Sequence, residues 1–314
     1  MRQGGPRDTL YKTIGSVYDN VSDFVVIEYP RSSSRRSIDM MIRLKDGRIS
    51  LLKVLEDLAR FPKAEAEELK SVASALRASS LAIAERAAGR ELLDEVVYEK
   101  HGVMALTPSS LERVLEEENI YVYQSGDMLK VKINSEELRR KRSERDMSLG
   151  QVAQALGVSR KAVYEYERGT MDPSIEKGEK LVEMFGEEIL KAVDVFAEER
   201  REGRPEQLDT PGEALIANAL LRMGFKVAHA RRTAFDIVGK REREGVSVVV
   251  EHGKESLSSF LAKYYSSVKV GRVTRSEVFA VAESHESAQR FKREGIEVLT
   301  RDELIEVIRK EMRE

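Results

Sequence analysis

The chain has 314 residues, enough for two or three ordinary cores, and it is 34% charged against 41% hydrophobic. No apolar run reaches the length of a membrane span, the start "MRQGGPRDTL" has no secretory hydrophobic stretch, and there are no cysteines. Disulfides, iron–sulfur clusters and thiolate zinc sites are thereby excluded, and a reducing, cytoplasmic setting is expected. The net charge of −2 does not by itself announce a nucleic-acid partner, so any such partner must rest on local patches.

Residues 1–125 alternate strand and helix signals. "SIDMMIRLKDGRISLLKV" (37–54) reads as two strands joined by a charged, glycine-containing turn, and "SSLAIAER" (79–86) as a third. "GVMALTPSSLERVL" (102–115) reads as a short strand, a Thr N-cap and an amphipathic helix. "NIYVYQSGDMLKVKIN" (119–134) alternates on either side of Ser125-Gly126-Asp127, a hairpin signal. Residues from about 134 to 198 show no strand pattern, only short capped helices. The polar stretch "AEERREGRPEQLDTPGE" (197–213), with Gly203, Pro205 and Pro211, marks a linker. From 201 to 314 the mixed pattern returns.

The outer blocks are expected to be copies of one unit. "GVMALTPSSLERVL" aligns without gaps to "GIEVLTRDELIEVI" (295–308), and "SSLAIAER" matches "SEVFAVAE" (276–283). "SIDMMIRLKDGRISLLKV" matches "AFDIVGKREREGVSVVVE" (234–251). Three matches in the same order point to duplication.

In the middle block, Ser148 followed by Gln151 opens a helix as a capping box, with Val152, Ala153 and Leu156 on one apolar face. Gly157 makes a turn, and Ser159 caps a second short helix with Ala162, Val163 and Tyr166 facing inward. With Leu138, Arg142, Val158, Glu167-Arg168-Gly169 and Pro173-Ser174, this segment resembles the Cro and phage-repressor (XRE-like) helix-turn-helix family. The resemblance implies that the second helix enters the major groove. Arg160, Lys161 and Tyr164 would then face base edges, while Ser159 and the helix N-termini meet phosphate. Arg142 would pair with Glu167 as a structural contact. Arg139 and Arg140 are candidates for phosphate contact or for plain solvation. Residues 134–170 hold 8 Lys/Arg against 6 Asp/Glu, a modest local excess. Leu149 departs from the family, which often has Gln there, and Glu165 would repel phosphate if it faced DNA.

The order in 206–314, with the opening helix "GEALIANALLRMGF", resembles the PD-(D/E)xK nuclease fold and Holliday-junction resolvases. In that family an Asp and an acid on neighbouring strands hold a divalent metal, and a Lys two residues past the acid assists the attacking water. By this resemblance Glu213, Asp236 and Glu251 are the metal-ligand candidates, for magnesium or manganese. Gly253 stands where the lysine belongs, and Lys254 is one residue out of register, which on a strand turns it to the other face. In the first block Asp39 and Lys53 match, but Leu51 occupies the acid position. His101, His229, His252 and His285 show no ligand spacing and read as ordinary histidines.

The expected architecture is α/β plus α: two restriction-endonuclease-like αβ domains (1–125 and 201–314) flanking a five-helix Cro-type helix-turn-helix domain (126–200). Nuclease-like and phage-repressor-type modules in one chain also resemble a family of archaeal transcriptional regulators. The expected function is a sequence-specific regulator, a homodimer on double-stranded DNA with no membrane partner and no cofactor. The catalytic motifs are vestigial in this reading. One alternative is a metal-dependent endonuclease or junction resolvase guided by the helix-turn-helix, and another is an architectural or junction-binding protein.

Overall fold

A computed structural model describes residues 6–30, 36–199, 210–253, 255–293 and 295–311. The N-terminal unit is built on strands β1 (Asp23–Val26), β2 (Met40–Arg43), β3 (Ile49–Asp57) and β4 (Ser79–Ala87). Then come β5 (Arg90–Glu91), β6 (Val96–Lys100) and β7 (Val103–Leu106). Six consecutive residues of β3, Ile49–Val54, are buried, so this strand is covered on both faces even though Ser50 and Lys53 interrupt its apolar residues. Helices α1 (Pro6–Tyr18) and α3 (Pro108–Leu115) cover one face, over Met40, Ile42, Leu52 and Leu81. Helix α2 (Lys63–Leu76) covers the other, over Met41, Leu51 and Ala82.

The C-terminal unit has strands β10 (Lys226–His229), β11 (Ile237–Arg241), β12 (Glu244–Val250), β13 (Ser276–Ala282) and β14 (Leu299–Thr300). Its helices are α8 (Pro211–Arg222), α9 (Leu257–Thr274), α10 (His285–Arg293) and α11 (Arg301–Glu311). Its sheet order β10-β11-β12-β13-β14 has two antiparallel pairings followed by two parallel ones. The path β1-β2-β3-β4-β7 has the same sequence of senses.

The two units interlock reciprocally. Helix α2 of the first lies against β10 and β11 of the second, and α9 of the second lies against β1 and β2 of the first. Each helix thus has an apolar side facing the other unit, and Phe235, Val238, Val270 and Val273 join the same buried cluster as Ile27, Leu69 and Val72. Polar groups at the seam are satisfied across it. Arg43, 8% exposed, donates from Nε to Val273 O at 2.9 Å and from Nη2 to Arg272 O at 2.9 Å, capping the last carbonyls of α9. Buried Glu68 accepts Ser37 Oγ–H at 2.7 Å and the Arg232 N–H at 2.9 Å.

The central module contains α4 (Ser135–Glu144), α5 (Leu149–Leu156), α6 (Arg160–Arg168) and α7 (Ile175–Phe185), followed by a single 3-10 turn (Glu187–Ile189). The expected five helices are therefore four α-helices and this turn among the described residues. The anticipated hairpin is β8 (Val122–Ser125) and β9 (Met128–Val131). Strand β8 pairs with β6 and so extends the N-terminal sheet, while Val131 of β9 is buried in the helical core. Asp172 fastens this junction, accepting Tyr123 O–H at 2.7 Å, Lys132 Nζ at 2.9 Å and the Ile133 N–H at 3.2 Å.

After the helices the chain returns to the N-terminal sheet. The Val193 N–H donates to Ile120 O at 2.8 Å, Val195 and Phe196 enter the N-terminal core, and the Glu199 N–H donates to Ala78 O at 2.9 Å. The change of periodicity near residue 125 is thus not a packing boundary. The hairpin crosses it, and residues 193–199 have no regular period from which their burial could be read.

Candidate nucleic-acid interface and buried carboxylate cluster

The helix-turn-helix is specified by local chemistry. Ser148 Oγ accepts the Gln151 N–H at 3.2 Å while Gln151 Oε1 accepts the Ser148 N–H at 2.8 Å, a complete capping box that starts α5. Gly157 closes α5 at φ 67°, a left-handed position that favours glycine. Ser159 Oγ then accepts the Ala162 N–H at 3.1 Å and starts α6. Val152, Ala153, Leu156, Val163 and Tyr166 are buried against Leu138, Leu181 and Phe185.

The opposite face of α6 is open. Arg160, Lys161 and Tyr164 are exposed, and neither Arg160 nor Lys161 meets a carboxylate among the described residues. The Arg160 side chain runs beside Gly150 in the first turn of α5, where a Cβ would lie 3.7 Å from its Cδ. Arg168 stands 5.6 Å from the centre of the Tyr164 ring. Of the two arginines on α4, Arg139 has no carboxylate partner among the described residues, whereas Arg140 is bonded to both Glu137 and Glu144. Glu165 accepts the Thr170 hydroxyl, and Leu149 packs half-buried against the helical core.

Arg142 and Glu167 face each other across α4 and α6. Nε lies 2.5 Å from Oε1 and Nη2 lies 3.1 Å from Oε2, while Nη1 donates to Met147 O at 2.7 Å. The Glu167 hydrogen bond holds the guanidinium above its ordinary pKa.

In the C-terminal unit the strand ends gather a different set from the one expected. Glu213, Asp236 and His252 each present a ligand atom within one small cluster, and Glu251 is not part of it. Glu251 turns instead to the Glu283 N–H at 3.1 Å and to Arg290 Nη2 at 3.4 Å. Strand β12 spans Glu244–Val250, and Glu251 just past it still donates its N–H to Val281 O at 2.8 Å. Lys254 lies outside the described residues. Into the place of the missing lysine comes Lys263 of α9, 4% exposed, whose Nζ lies 2.5 Å and 2.6 Å from the two carboxylate oxygens of Asp236.

The rest of the cluster is closely coordinated. Asp236 Oδ2 also accepts the Val250 N–H at 2.6 Å, and His252 Nε2 lies 3.2 Å from Oδ1. Glu213 is fully buried at the start of α8, where its Oε2 accepts the Thr210 N–H at 3.0 Å. His229 Nε2 and His252 Nε2 each lie 3.5 Å from a Glu213 oxygen. Burial raises the Asp236 carboxyl, but His252, Lys263 and the Val250 N–H outweigh it and leave Asp236 below its ordinary range. Burial likewise opposes ionisation of Glu213, and His229 with His252 overrides it. The hydrogen bond to Asp236 holds His252 above the usual imidazole value. His229 and His252 are therefore not the ordinary histidines expected from spacing alone. The missed signal for Lys263 was helical: it shares the inward side of α9 with Phe260, Ser267 and Val270.

The first unit repeats the theme with other residues. Asp39 lies 3.2 Å from Lys53 Nζ and 3.1 Å from Arg36 Nε, and its Oδ2 accepts the Val54 N–H at 3.0 Å. Lys53 is also 3.2 Å from Glu65, whose carboxyl is raised by burial against the opposing pull of Lys53. Leu51 is fully buried in the core.

The resemblance to the nuclease fold implies magnesium or manganese, and with Lys263 seated on Asp236 the residues present do not accommodate either ion. The carboxylate of Asp236 already faces Lys263 twice, His252 and the Val250 N–H, which occupies its acceptor capacity. One of the three gathered side chains is an imidazole, whereas magnesium prefers oxygen. No hydrolytic step follows from this arrangement.

The fold and these sites define a helix-turn-helix protein carried on a nuclease-type α/β scaffold. Residues 7–120 match the PD-(D/E)XK superfamily domain, and residues 138–191 match the helix-turn-helix family. A protein of Aeropyrum pernix named "Putative HTH-type transcriptional regulatory protein" is 40% identical over 297 residues, 92% of this chain and 90% of its own length. Proteins of the same designation from Saccharolobus solfataricus and Saccharolobus islandicus are each 30% identical over 283 residues, 86% of this chain and 87% of theirs. The chain belongs to this archaeal family of HTH-type transcriptional regulatory proteins. No solved structure matches it.

Proposed function

We propose that the protein is a sequence-specific regulator that binds double-stranded DNA through α6, acting as a cytoplasmic homodimer without a cofactor. The observation that carries this reading is the open face of α6. Arg160 and Lys161 stand exposed at its N-terminal end without carboxylate partners among the described residues, on a helix whose other face is locked into a core. Paired half-sites are the usual target of such a module, which favours two copies. The C-terminal unit is a second nuclease-like copy, on the strength of its strand order and senses. Because α2 and α9 are consumed within the chain, dimerisation uses another surface. Among the described residues no helix is long and apolar enough to cross a membrane.

Genome-wide mapping of bound sites, followed by footprinting with wild type and an Arg160→Ala/Lys161→Ala variant, tests this reading. A wild-type footprint that the variant loses supports it. An unchanged footprint sinks it. The gathering of Glu213, Asp236 and His252 is the observation behind a guided nuclease as the second reading, and Lys263 seated on Asp236 counts against it. DNA cleaved in the presence of manganese, and spared by Asp236→Ala, would establish that alternative.

A further inference from the structure

In both halves of the chain the aspartate immediately before the second strand of the nuclease-like unit meets a buried ammonium. Asp39 receives Lys53 from β3, and Asp236 receives Lys263 from α9. The two lysines come from different elements, yet each carboxylate also accepts the backbone N–H of a valine on the neighbouring strand, Val54 or Val250. A positive charge at this point is therefore a property of the position and not of one lysine. Buried carboxylates at such a spot require neutralisation, because isolated ions are costly in a low-dielectric interior.

The C-terminal copy goes further. Beside Asp236 lie His252, 36% exposed at its side chain and so open to solvent, and Glu213, fully buried. Among the described residues Glu213 Oε1 has no hydrogen-bond partner, and it lies 3.5 Å from His252 Nε2. Native interiors seldom leave a carboxylate oxygen unpaired. Two carboxylates and an imidazole converging on one point form a donor set suited to manganese or zinc more than to magnesium.

We propose that the Lys263 ammonium occupies the place of a divalent cation among Glu213, Asp236 and His252, so that this one side chain closes the site to metal. The ammonium supplies a single positive charge and fixed donors to both oxygens of Asp236. Removing it leaves buried Asp236 without its ammonium beside buried Glu213, and a borderline divalent cation entering past His252 restores the balance. Loss of this lysine thus converts a structural ion pair into a metal site. This inference concerns the C-terminal unit alone, so it stands or falls separately from the DNA footprint of α6.

The test is manganese binding by the full chain, counted by electron paramagnetic resonance of free against bound ion. Wild type is expected to bind no manganese at this site and to melt at the same temperature with manganese as with a chelator. Lys263→Met keeps the length of the side chain and deletes its charge. It should bind one manganese per chain at least about tenfold more tightly than wild type does, and melt higher with the ion present. Lys263→Arg, which retains the charge, should stay blank, and Asp236→Asn added to Lys263→Met should abolish the gain. If Lys263→Met does not fold in chelator but folds with manganese, the proposal is supported. A wild-type protein that binds manganese and loses it in Asp236→Asn overturns the proposal. So does a folded Lys263→Met that binds no more than wild type. If Lys263→Met stays unfolded even with manganese, no metal has replaced the lysine, and the proposal fails.

Discussion

Arg142 and Glu167 form a two-point ion pair across α4 and α6, with the arginine side chain 16% exposed and the glutamate 6%. The third arm of Arg142 holds the Met147 carbonyl, so one side chain ties the first helix to the helix-turn-helix and to the loop that precedes it. Arg142→Ala should leave Glu167 buried without a partner, at a cost of about 3 kcal/mol, near the low end for buried pairs because Arg142 keeps some solvent contact. Denaturant unfolding of the full chain reads this directly. Arg142→Ala with wild-type stability and lost DNA binding would place the arginine on DNA instead.

Arg160 and Lys161 lie exposed on the other face of α6, where the proposed reading puts base edges. Each good base contact is worth roughly 1–3 kcal/mol of discrimination, so Arg160→Ala/Lys161→Ala should cut the ratio of specific to non-specific affinity by at least about tenfold. Neither residue is buried, so the melting temperature should stay near wild type. Affinities at fixed salt for the mapped site and for random duplex provide the ratio.

Gly178 couples the helical module to the hairpin. A Cβ there would meet Val131 Cγ2 at 2.9 Å, so α7 approaches β9 as closely as glycine allows. Gly178→Ala should push Val131 out of place and destabilise the module by about 1–3 kcal/mol, as overpacking does. Gly178→Ala/Val131→Ala should recover part of the loss, and a double-mutant cycle without coupling would refute the contact.

Asp57 accepts three backbone N–H groups, from Ala59 at 2.8 Å, Ala88 at 2.9 Å and Gly89 at 2.8 Å. Burial works against its ionisation, but these donors hold its carboxyl below the ordinary value. A depressed carboxyl contributes stability that is present above the unfolded pKa of about 3.9 and is lost as pH falls through the folded value. Denaturation midpoints followed from neutral into acid should fall more steeply for wild type than for Asp57→Asn. Equal acid slopes would mean that Asp57 contributes nothing in this way.

The central module was legible because its signals are local. A capping box at Ser148, a left-handed Gly157 and a second cap at Ser159 each operate within four residues, so the helices and their inward faces follow from spacing. The alternation about Gly126 likewise marked the hairpin. In the two outer α/β blocks the sequence by itself determined strand order signals and the acids Asp39, Glu213 and Asp236. Tertiary structure decided what those acids meet. Lys263 lies 27 residues beyond Asp236 on a different element, and nothing in spacing links the two until α9 packs over the sheet. His252, and not Glu251, joins Asp236, while Glu251 bonds the Glu283 N–H and Arg290. The reciprocal seating of α2 and α9, and the return of residues 193–199 to the first core, also depend on long-range burial with no local period to betray it. Short-range hydrogen bonding is written in neighbouring residues, whereas the neutralisation of a buried charge depends on whichever side chain the finished fold delivers to it.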